Sequence, residues 1–248
     1  MPRTIIPFAK RLTLLLTAAL FTMPEPTLAE DRIANARARA EAVLRAAFTE
    51  AAVPYPAAEL HLRAFKKEAI LELWARPDSG RTFRLIATYP ILASSGGPGP
   101  KRREGDGQVP EGFYEVNRFN PLSAWHLSLG LNYPNAADLR LGHPTAPGTD
   151  IFIHGNQVSV GCLPMGDTRI EEIYIAALDS IARPIRVHIF PARMSGESWD
   201  QWRAEQVQKA PQLDAFWRQL QPAYDHFEHN KRIPSFSILP DGSYRTAK

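Results

Sequence analysis

The stretch that decides the fold runs Ile151-Phe152-Ile153-His154-Gly155-Asn156-Gln157-Val158-Ser159-Val160-Gly161-Cys162-Leu163-Pro164-Met165. Its apolar start predicts a buried strand that ends at His154, followed by a short polar loop that closes on Cys162. One tight loop of this kind brings the Cys162 thiol and the His154 imidazole together. A thiolate nucleophile needs such a base, and it needs free backbone N–H groups to receive an oxyanion.

Cys162 is the single cysteine of the 248 residues, so it cannot form a disulfide within the chain. Such a thiol is either a small buried apolar side chain or a reactive group. The nearby histidine and the flanking glycines favour the catalytic interpretation. Because an adjacent imidazolium lowers the pKa of a thiol, the pattern also predicts an unusually acidic Cys162.

Residues 1–29 have the pattern of a secretory signal peptide. A basic start is followed by an apolar run over residues 12–23, by two prolines, and by a small-residue cleavage site at Ala29. The alternative is an uncleaved membrane anchor, but the apolar run falls short of the roughly 20 residues that span a bilayer. We therefore predict export to the periplasm, with no stable membrane insertion after cleavage.

The charge of the chain is nearly balanced. Residues 1–29 carry three basic residues and one acidic residue, so the formal net charge of +3 falls to +1 on cleavage. This balance gives no reason to expect a nucleic-acid partner. The basic run Lys101-Arg102-Arg103 lies in a Gly/Pro-rich loop over residues 93–112, and we expect it to be solvated. Loops of this length are often functional, which predicts that it borders the site.

The remaining pattern predicts an α+β protein. Helices are expected at residues 31–52, 167–182 (with Asp167 as N-cap) and 197–230; strands are expected at 59–76, 81–92, 113–116, 125–129, 151–154 and 185–190, with a hairpin at Asp241-Gly242. The strands supply most of the expected core, and the helices lie toward the two ends.

The motifs resemble those of the YkuD-type L,D-transpeptidase catalytic domain, and most closely its YafK-like branch. The resemblance rests on His154-Gly155, on Ser159-x-Gly161-Cys162 and on Met165, with support from residues 105–114, 130–136 and 186–191. It extends over about residues 60–240. This chain departs from the common form of the family, which has a histidine where Val160 stands, an arginine where Pro164 stands, and a longer gap between the catalytic residues.

The resemblance implies a mostly β catalytic domain at residues 57–192. Residues 30–56 would then form an N-terminal helix and linker, and residues 193–248 a C-terminal helical extension packed on that domain. It further implies a role for each motif residue: Cys162 is the nucleophile, His154 the proton donor and acceptor, Gly155 the carbonyl that orients His154, Gly161 and Cys162 the oxyanion N–H donors, and Ser159 a support to the pair.

Other polar residues are weaker candidates. Tyr133, Asn135 and Asn156 are predicted to contact substrate, although Asn132-Tyr133-Pro134-Asn135 is also ordinary turn chemistry. A zinc site built from His154, Cys162 and either His143 or His188 is an alternative, but the short ligand spacings of zinc sites are missing. We predict no metal and no cofactor.

The predicted function is that of an exported cysteine peptidyltransferase that acts on peptidoglycan stem peptides through a Cys162 thioester, in cell wall cross-linking or remodelling. The alternative is a hydrolase in which water meets the same thioester and a peptide or a wall-linked lipoprotein is released from peptidoglycan. A wall-binding module without activity is a third reading, but it has no use for an exposed thiol.

Overall fold

The computed structural model describes residues 27–247. The predicted signal peptide therefore lies almost wholly outside the described residues, which contain only its last three positions. Within the described part, no helix is both long enough and apolar enough to cross a membrane.

The chain forms one large mixed sheet with helices at both ends, which confirms the predicted α+β class. In chain order the elements are α1 (Leu28–Glu50), β1 (Glu59–Phe65), β2 (Ile70–Arg76), β3 (Arg84–Pro90), β4 (Gly112–Asn120), β5 (Ser128–Leu131), α2 (Ala136–Leu141), β6 (Phe152–His154), β7 (Leu163–Pro164), α3 (Asp167–Asp179), β8 (Arg186–Phe190), α4 (Glu197–Lys209), α5 (Gln212–Asn230), β9 (Phe236–Ile238) and β10 (Tyr244–Thr246). The eight-stranded sheet has the order β3-β2-β1-β8-β4-β5-β6-β7, and β9 and β10 form a separate hairpin.

Several predicted elements differ from the structure. The strand expected over residues 125–129 begins only at Ser128, and residues 125–127 form a turn instead. The single strand expected over residues 59–76 is two antiparallel strands, β1 and β2, joined by a turn in which Ala69 has a φ of 52°. The single helix expected over residues 197–230 is divided into α4 and α5 at Ala210-Pro211, because proline has no N–H to continue the ladder of α4. The N-cap of α3 is Gly166, not Asp167.

Helices α1 and α3 cover one face of the sheet. The buried side of α1 carries Ala36, Ala40, Leu44 and Phe48, four residues apart, which is the spacing of one helix face. Two ion pairs tie α1 to α3, Arg37 to Asp179 and Arg39 to Glu171, each at 2.6 Å.

Helix α5 covers the other face. Its Trp217, Leu220 and Tyr224 pack with Phe65 of β1 and Phe190 of β8 in one buried cluster. Because both faces of the sheet are covered, every residue of β1 is buried. Leu60, Leu62 and Ala64 of β1 lie in the cluster with α1 and α3, whereas Phe65, on the alternate face, packs with α5.

Candidate active site

The parallel pair β6 and β7 positions the two predicted catalytic residues. Ile153 lies opposite Leu163 and His154 lies opposite Pro164, so Cys162, directly before β7, stands beside Phe152. His154 is two residues further along the same strand as Phe152, a separation of about 7 Å along the strand direction. Side chains two apart share a face of the sheet, which places the thiol and the imidazole on the same side.

Hydrogen bonds fix the orientation of the His154 ring. Its Nδ1 lies 2.5 Å from the Gly155 carbonyl oxygen, and its Nε2 lies 3.4 Å from Ser159 Oγ. A carbonyl can only accept, so the network assigns the proton to Nδ1 and leaves Nε2 as the acceptor. The Gly155 contact is the one that its predicted role requires.

The Cys162 thiol has its own partners. Its Sγ accepts a hydrogen bond from the Phe152 N–H at 3.3 Å and lies 3.8 Å from the Asp150 carbonyl oxygen. The Ser159 hydroxyl accepts the Cys162 N–H at 3.0 Å. In the described structure no hydrogen bond joins Sγ directly to the imidazole; Ser159 contacts both residues instead.

Both groups open into one cavity of about 340 Å³. It is lined by Trp125, Phe152, His154, Val158, Ser159, Val160 and Cys162. The rim is apolar and accessible: Val160 is 78% exposed, and the Trp125 ring centre lies 5.6 Å from that of His154. At the cavity wall Cys162 is half-buried, whereas His154 is only 3% exposed.

Burial favours the neutral form of both groups, which is opposite to the acidic thiol expected from the pattern. Burial raises the pKa of Cys162 above its ordinary value, although the Phe152 N–H, the Ser159 hydroxyl and the charge of Lys101 oppose the shift. Burial lowers the pKa of His154, and the Gly155 carbonyl offsets this only in part. Loss of solvent disfavours whichever form is charged, so a thiol and a neutral imidazole are favoured over a thiolate and an imidazolium.

The two predicted oxyanion donors are both engaged. The Gly161 N–H donates to Ser95 Oγ at 2.7 Å, and the Cys162 N–H donates to Ser159 Oγ. The prediction of an open Gly161 donor therefore differs from the structure. Gly161 is buried, and a buried N–H without a partner is costly, which explains why a hydroxyl from a distant loop occupies it.

The predicted substrate contacts are not at the cavity. Tyr133 is buried and donates to the Pro147 carbonyl at 2.7 Å, and Asn135 is the buried N-cap of α2. Asn156 is exposed, and its side-chain oxygen accepts the N–H of Gln157. The Asn135 oxygen caps α2, but its amide nitrogen also donates to the Phe113 carbonyl and to the Tyr244 hydroxyl. Cap chemistry therefore accounts for only part of the Asn135 contacts, and Tyr133 is held by a bond to a residue 14 positions away.

The loop between β3 and β4 borders the site but is tightly bonded. Asp106 accepts hydrogen bonds from Lys101 Nζ at 2.6 Å and from the backbone N–H groups of Arg102, Arg103 and Gln108. Lys101 is buried, so the expectation of a solvated basic run is wrong there. A buried ammonium requires a partner, and Asp106 supplies it.

A second buried pair anchors the same loop. Glu111, which is fully buried, lies 3.0 Å from Lys66 Nζ and accepts the Gly99 N–H at 2.7 Å and the Trp217 indole N–H at 2.8 Å. Lys66 also donates to the carbonyls of Gly99 and Val109. The loop is thereby fixed to the sheet and to α5.

The histidines of the alternative zinc site are far apart in the fold. His188 is buried on β8, against His61 at a ring distance of 4.5 Å, and His143 is in an exposed turn. Among residues 27–247, no group of three or more His, Cys, Asp or Glu side chains is arranged to hold a metal ion.

Three contributors to the site were missed from the sequence. The Phe152 N–H follows from the β6–β7 pairing, which the apolar strand alone did not reveal. Ser95 lies 66 residues from Gly161, and no local pattern connects them. Trp125, on the cavity wall, was expected only as a strand residue.

Comparisons with known proteins agree with the motifs. The family model YkuD, the L,D-transpeptidase catalytic domain, matches residues 69–189. The chain is 34% identical over 194 residues to YafK of Escherichia coli K12, a match that covers 76% of this chain and 74% of that protein.

Two solved structures are similar at lower identity. A mutant of the helical cell shape determining protein Pgp2 of Campylobacter jejuni is 20% identical with a TM-score of 0.44, covering 62% of this chain and 57% of that one. Bd1075 of Bdellovibrio bacteriovorus is 21% identical with a TM-score of 0.40, covering 69% and 61%. The chain thus spans less than two thirds of either structure.

Proposed function

Because this chain belongs to the L,D-transpeptidase family, we propose that it is an exported cysteine peptidyltransferase that acts on peptidoglycan stem peptides through a Cys162 thioester. One observation carries the proposal. The Cys162 thiol and the neutral His154 acceptor open into the same cavity, with Ser159 in contact with both. A nucleophile, a base and an orienting carbonyl are the parts that acyl transfer requires.

The first half of the reaction is acylation. The Cys162 thiol loses its proton to His154 Nε2, and Sγ attacks the carbonyl carbon of the scissile amide. The Phe152 N–H, which already donates to Sγ, stabilises the negative sulfur. The amide oxygen becomes an oxyanion. Once the Ser159 hydroxyl has turned away from the Cys162 N–H, that N–H donates a hydrogen bond to the oxyanion. His154 then protonates the leaving amine, the C–N bond breaks, and a thioester remains.

The second half returns the enzyme to its resting state. His154, again neutral, takes a proton from an incoming amine, which attacks the thioester carbonyl. The C–S bond breaks, the proton returns to sulfur, and a new amide is released. If water replaces the amine, the product is a carboxylic acid and the enzyme is a hydrolase. In that form the leaving group is a peptide or a wall-linked lipoprotein.

Export is part of the proposal. A signal peptide cleaved after Ala29 would deliver the protein to the periplasm, where peptidoglycan lies. Helix α1 loses its N-cap Thr27 in this cleavage but no buried side chain, because Thr27 and Leu28 are exposed and Ala29 is half-buried. The first buried side chain of α1 is Ala36.

The test is incubation of the purified protein with isolated sacculi, followed by mass analysis of the released and newly joined muropeptides. We expect new cross-links or released peptides from the wild type and none from Cys162→Ala. New cross-links indicate transfer of the acyl group to an amine. New carboxylic acids without cross-links indicate hydrolysis of the thioester. Equal turnover by Cys162→Ala would contradict the thioester mechanism altogether.

A further inference from the structure

The Ser95 hydroxyl connects the β3–β4 loop to the loop that carries Cys162. Its Oγ accepts the Gly161 N–H at 2.7 Å and donates to the Gly107 carbonyl at 2.7 Å. Both hydrogen-bonding functions of the hydroxyl are therefore used, one toward each loop. No motif of the catalytic segment includes this residue.

The two loops are also in close backbone contact. A Cβ added to Gly161 would lie 3.2 Å from the Gln108 carbonyl oxygen, and Gly161 has a φ of 84°. Only glycine suits both the left-handed conformation and the narrow gap. The peptide unit before Cys162 is therefore set against the β3–β4 loop.

The β3–β4 loop, which carries Ser95, is held firmly in place. Residues of the β3–β4 loop are fixed by two buried ion pairs, Lys101 to Asp106 and Lys66 to Glu111. The catalytic loop, by contrast, is exposed at Val158 and Val160. Ser95 thus holds the loop that carries Cys162 against the fixed β3–β4 loop. The contact is made at Gly161, directly before the nucleophile.

We propose that Ser95 is a positioning residue for the reaction: by holding the Gly161 N–H, it fixes the peptide that directs the Cys162 thiol into the cavity. Accordingly, the Gly161 N–H is a structural donor, and the oxyanion is received by the Cys162 N–H. The inference rests on the proposed function for its effect on turnover, but its structural part does not depend on any substrate.

Three variants test the proposal in the full chain: Ser95→Ala, Ser95→Thr, which keeps the hydroxyl, and Ser94→Ala, a matched control at an exposed neighbour. Turnover of isolated sacculi and of a soluble disaccharide tetrapeptide is measured. We expect Ser95→Ala to lower kcat about 10- to 100-fold with little change in KM, since small misplacements of reacting groups cost rates of this order. Ser95→Thr should retain most of the rate, and Ser94→Ala all of it.

Hydrogen exchange of the peptide that contains Gly161 gives the readout that needs no turnover. Ser95→Ala should speed exchange of the Gly161 amide about 10-fold or more, and Ser94→Ala should not. An unchanged or faster kcat in Ser95→Ala, or unchanged exchange at Gly161, would overturn the proposal. If the wild type turns over neither substrate, the proposed function fails, and the exchange result still decides whether Ser95 holds Gly161.

Discussion

At the scale of single residues, the charge state of the catalytic pair is the main result. The sequence suggested a thiolate next to an imidazolium, whereas the structure favours a neutral thiol next to a neutral imidazole. The difference arises because the pattern shows which residues are near one another but not how little water surrounds them. In the proposed mechanism, the thiol is therefore activated only during the attack on substrate, with His154 as general base.

This charge state predicts the pH dependence of Cys162 alkylation. The pKa of the thiol is raised above its ordinary value of 9.0, so the reactive thiolate appears only as the pH rises beyond that value. Iodoacetamide should therefore modify the native protein slowly at pH 7, and the rate should increase toward pH 10. Cys162 is the single cysteine, so mass analysis reports it alone. A rate that levels off below pH 8 would show a thiolate–imidazolium pair instead.

We expect His154 to set the acid limb of turnover. Its pKa lies below the ordinary 6.5, so the imidazole stays neutral, and active as a base, to a lower pH than a free histidine. As the pH falls through that lowered value, the base is protonated and kcat/KM should decline. His154→Gln should lower kcat/KM by at least about 100-fold at pH 7, because general base catalysis supplies that much. Activity near the wild-type level in this variant would remove His154 from the mechanism.

His188 should make the protein sensitive to acid. Both of its ring nitrogens lack a hydrogen-bond partner in the described structure, and burial, with the nearby charges of His61 and Arg63, holds its pKa well below 6.5. The neutral ring contributes stability above pH 6.5. That contribution is lost as the pH falls, because the unfolded chain takes up a proton that the folded chain refuses.

The volume-conserving variant His188→Leu tests this. A buried histidine whose pKa lies well below 6.5 lowers the free energy of unfolding by about 1.4 kcal/mol for each pH unit below 6.5. Urea unfolding at pH 7.5 and at pH 5 should show a smaller loss for His188→Leu than for the wild type. His143→Asn, in an exposed turn, is the control and should follow the wild type. Identical pH dependence in all three would contradict the assignment.

At the scale of elements, the β3–β4 loop is a rigid part of the site. The carboxylate of Asp106 is partly buried, which disfavours its ionisation, but Lys101 and three backbone N–H groups outweigh this and lower its pKa to about 2. The abundant glycine and proline of the loop give no sign of these contacts. The rigidity comes from two buried lysine–carboxylate pairs, and the partners of a lysine cannot be identified from composition.

Asp106→Asn should destabilise the fold through this loop. The substitution leaves the Lys101 ammonium, which is 7% exposed, without its counter-charge. Breaking a buried pair from one side costs about 3 kcal/mol or more. Asp78→Asn is the matched control. Asp78, like Asp106, accepts backbone N–H groups, here two of them, but it lies in an exposed turn and has no lysine partner. Urea unfolding at pH 7 should separate the two variants; equal losses would show that the ion pair contributes nothing.

Local elements of the fold were predictable from the sequence, whereas contacts between distant segments were not. The strand 151–154, the cysteine loop and α3 were predictable because each is a local pattern of apolar spacing and turn residues. Ser95, Glu111 and the neutral charge state were not, because each depends on chain segments that are distant in sequence. Tyr133 and Asn135 were predicted to contact substrate because they are polar residues near a motif. The sequence did not show that both side chains are buried.

At the scale of the whole molecule, the C-terminal helices and the sheet share one core. Trp217, Leu220 and Tyr224 of α5 pack on Phe65 and Phe190 of the sheet. The Trp217 indole N–H also donates to the buried carboxylate of Glu111, which connects α5 to the loop beside the active site. We therefore expect residues 193–248, predicted as an extension packed on residues 57–192, to fold together with them as one cooperative unit.

Removal of residues 193–248 should accordingly prevent folding of the remainder. Burial of Trp217, Leu220 and Tyr224 alone stabilises the protein by roughly 1.5–3 kcal/mol each. The sum is comparable with the whole free energy of unfolding of a typical domain, about 5–15 kcal/mol. The shortened chain would also expose the aromatic face of β1 and β8 and leave Glu111 without its indole partner.

Thermal unfolding followed by circular dichroism, together with binding of the dye ANS, measures the effect. The chain that ends at residue 192 should show no cooperative transition and should bind ANS strongly at 25 °C, because apolar surface is exposed in a loosely packed state. A chain that lacks only residues 1–26 is the control, and it should melt cooperatively because it keeps the described core intact. A sharp transition and weak dye binding in the shortened chain would show that residues 57–192 fold without α4 and α5, and that the shared core is only a docking contact.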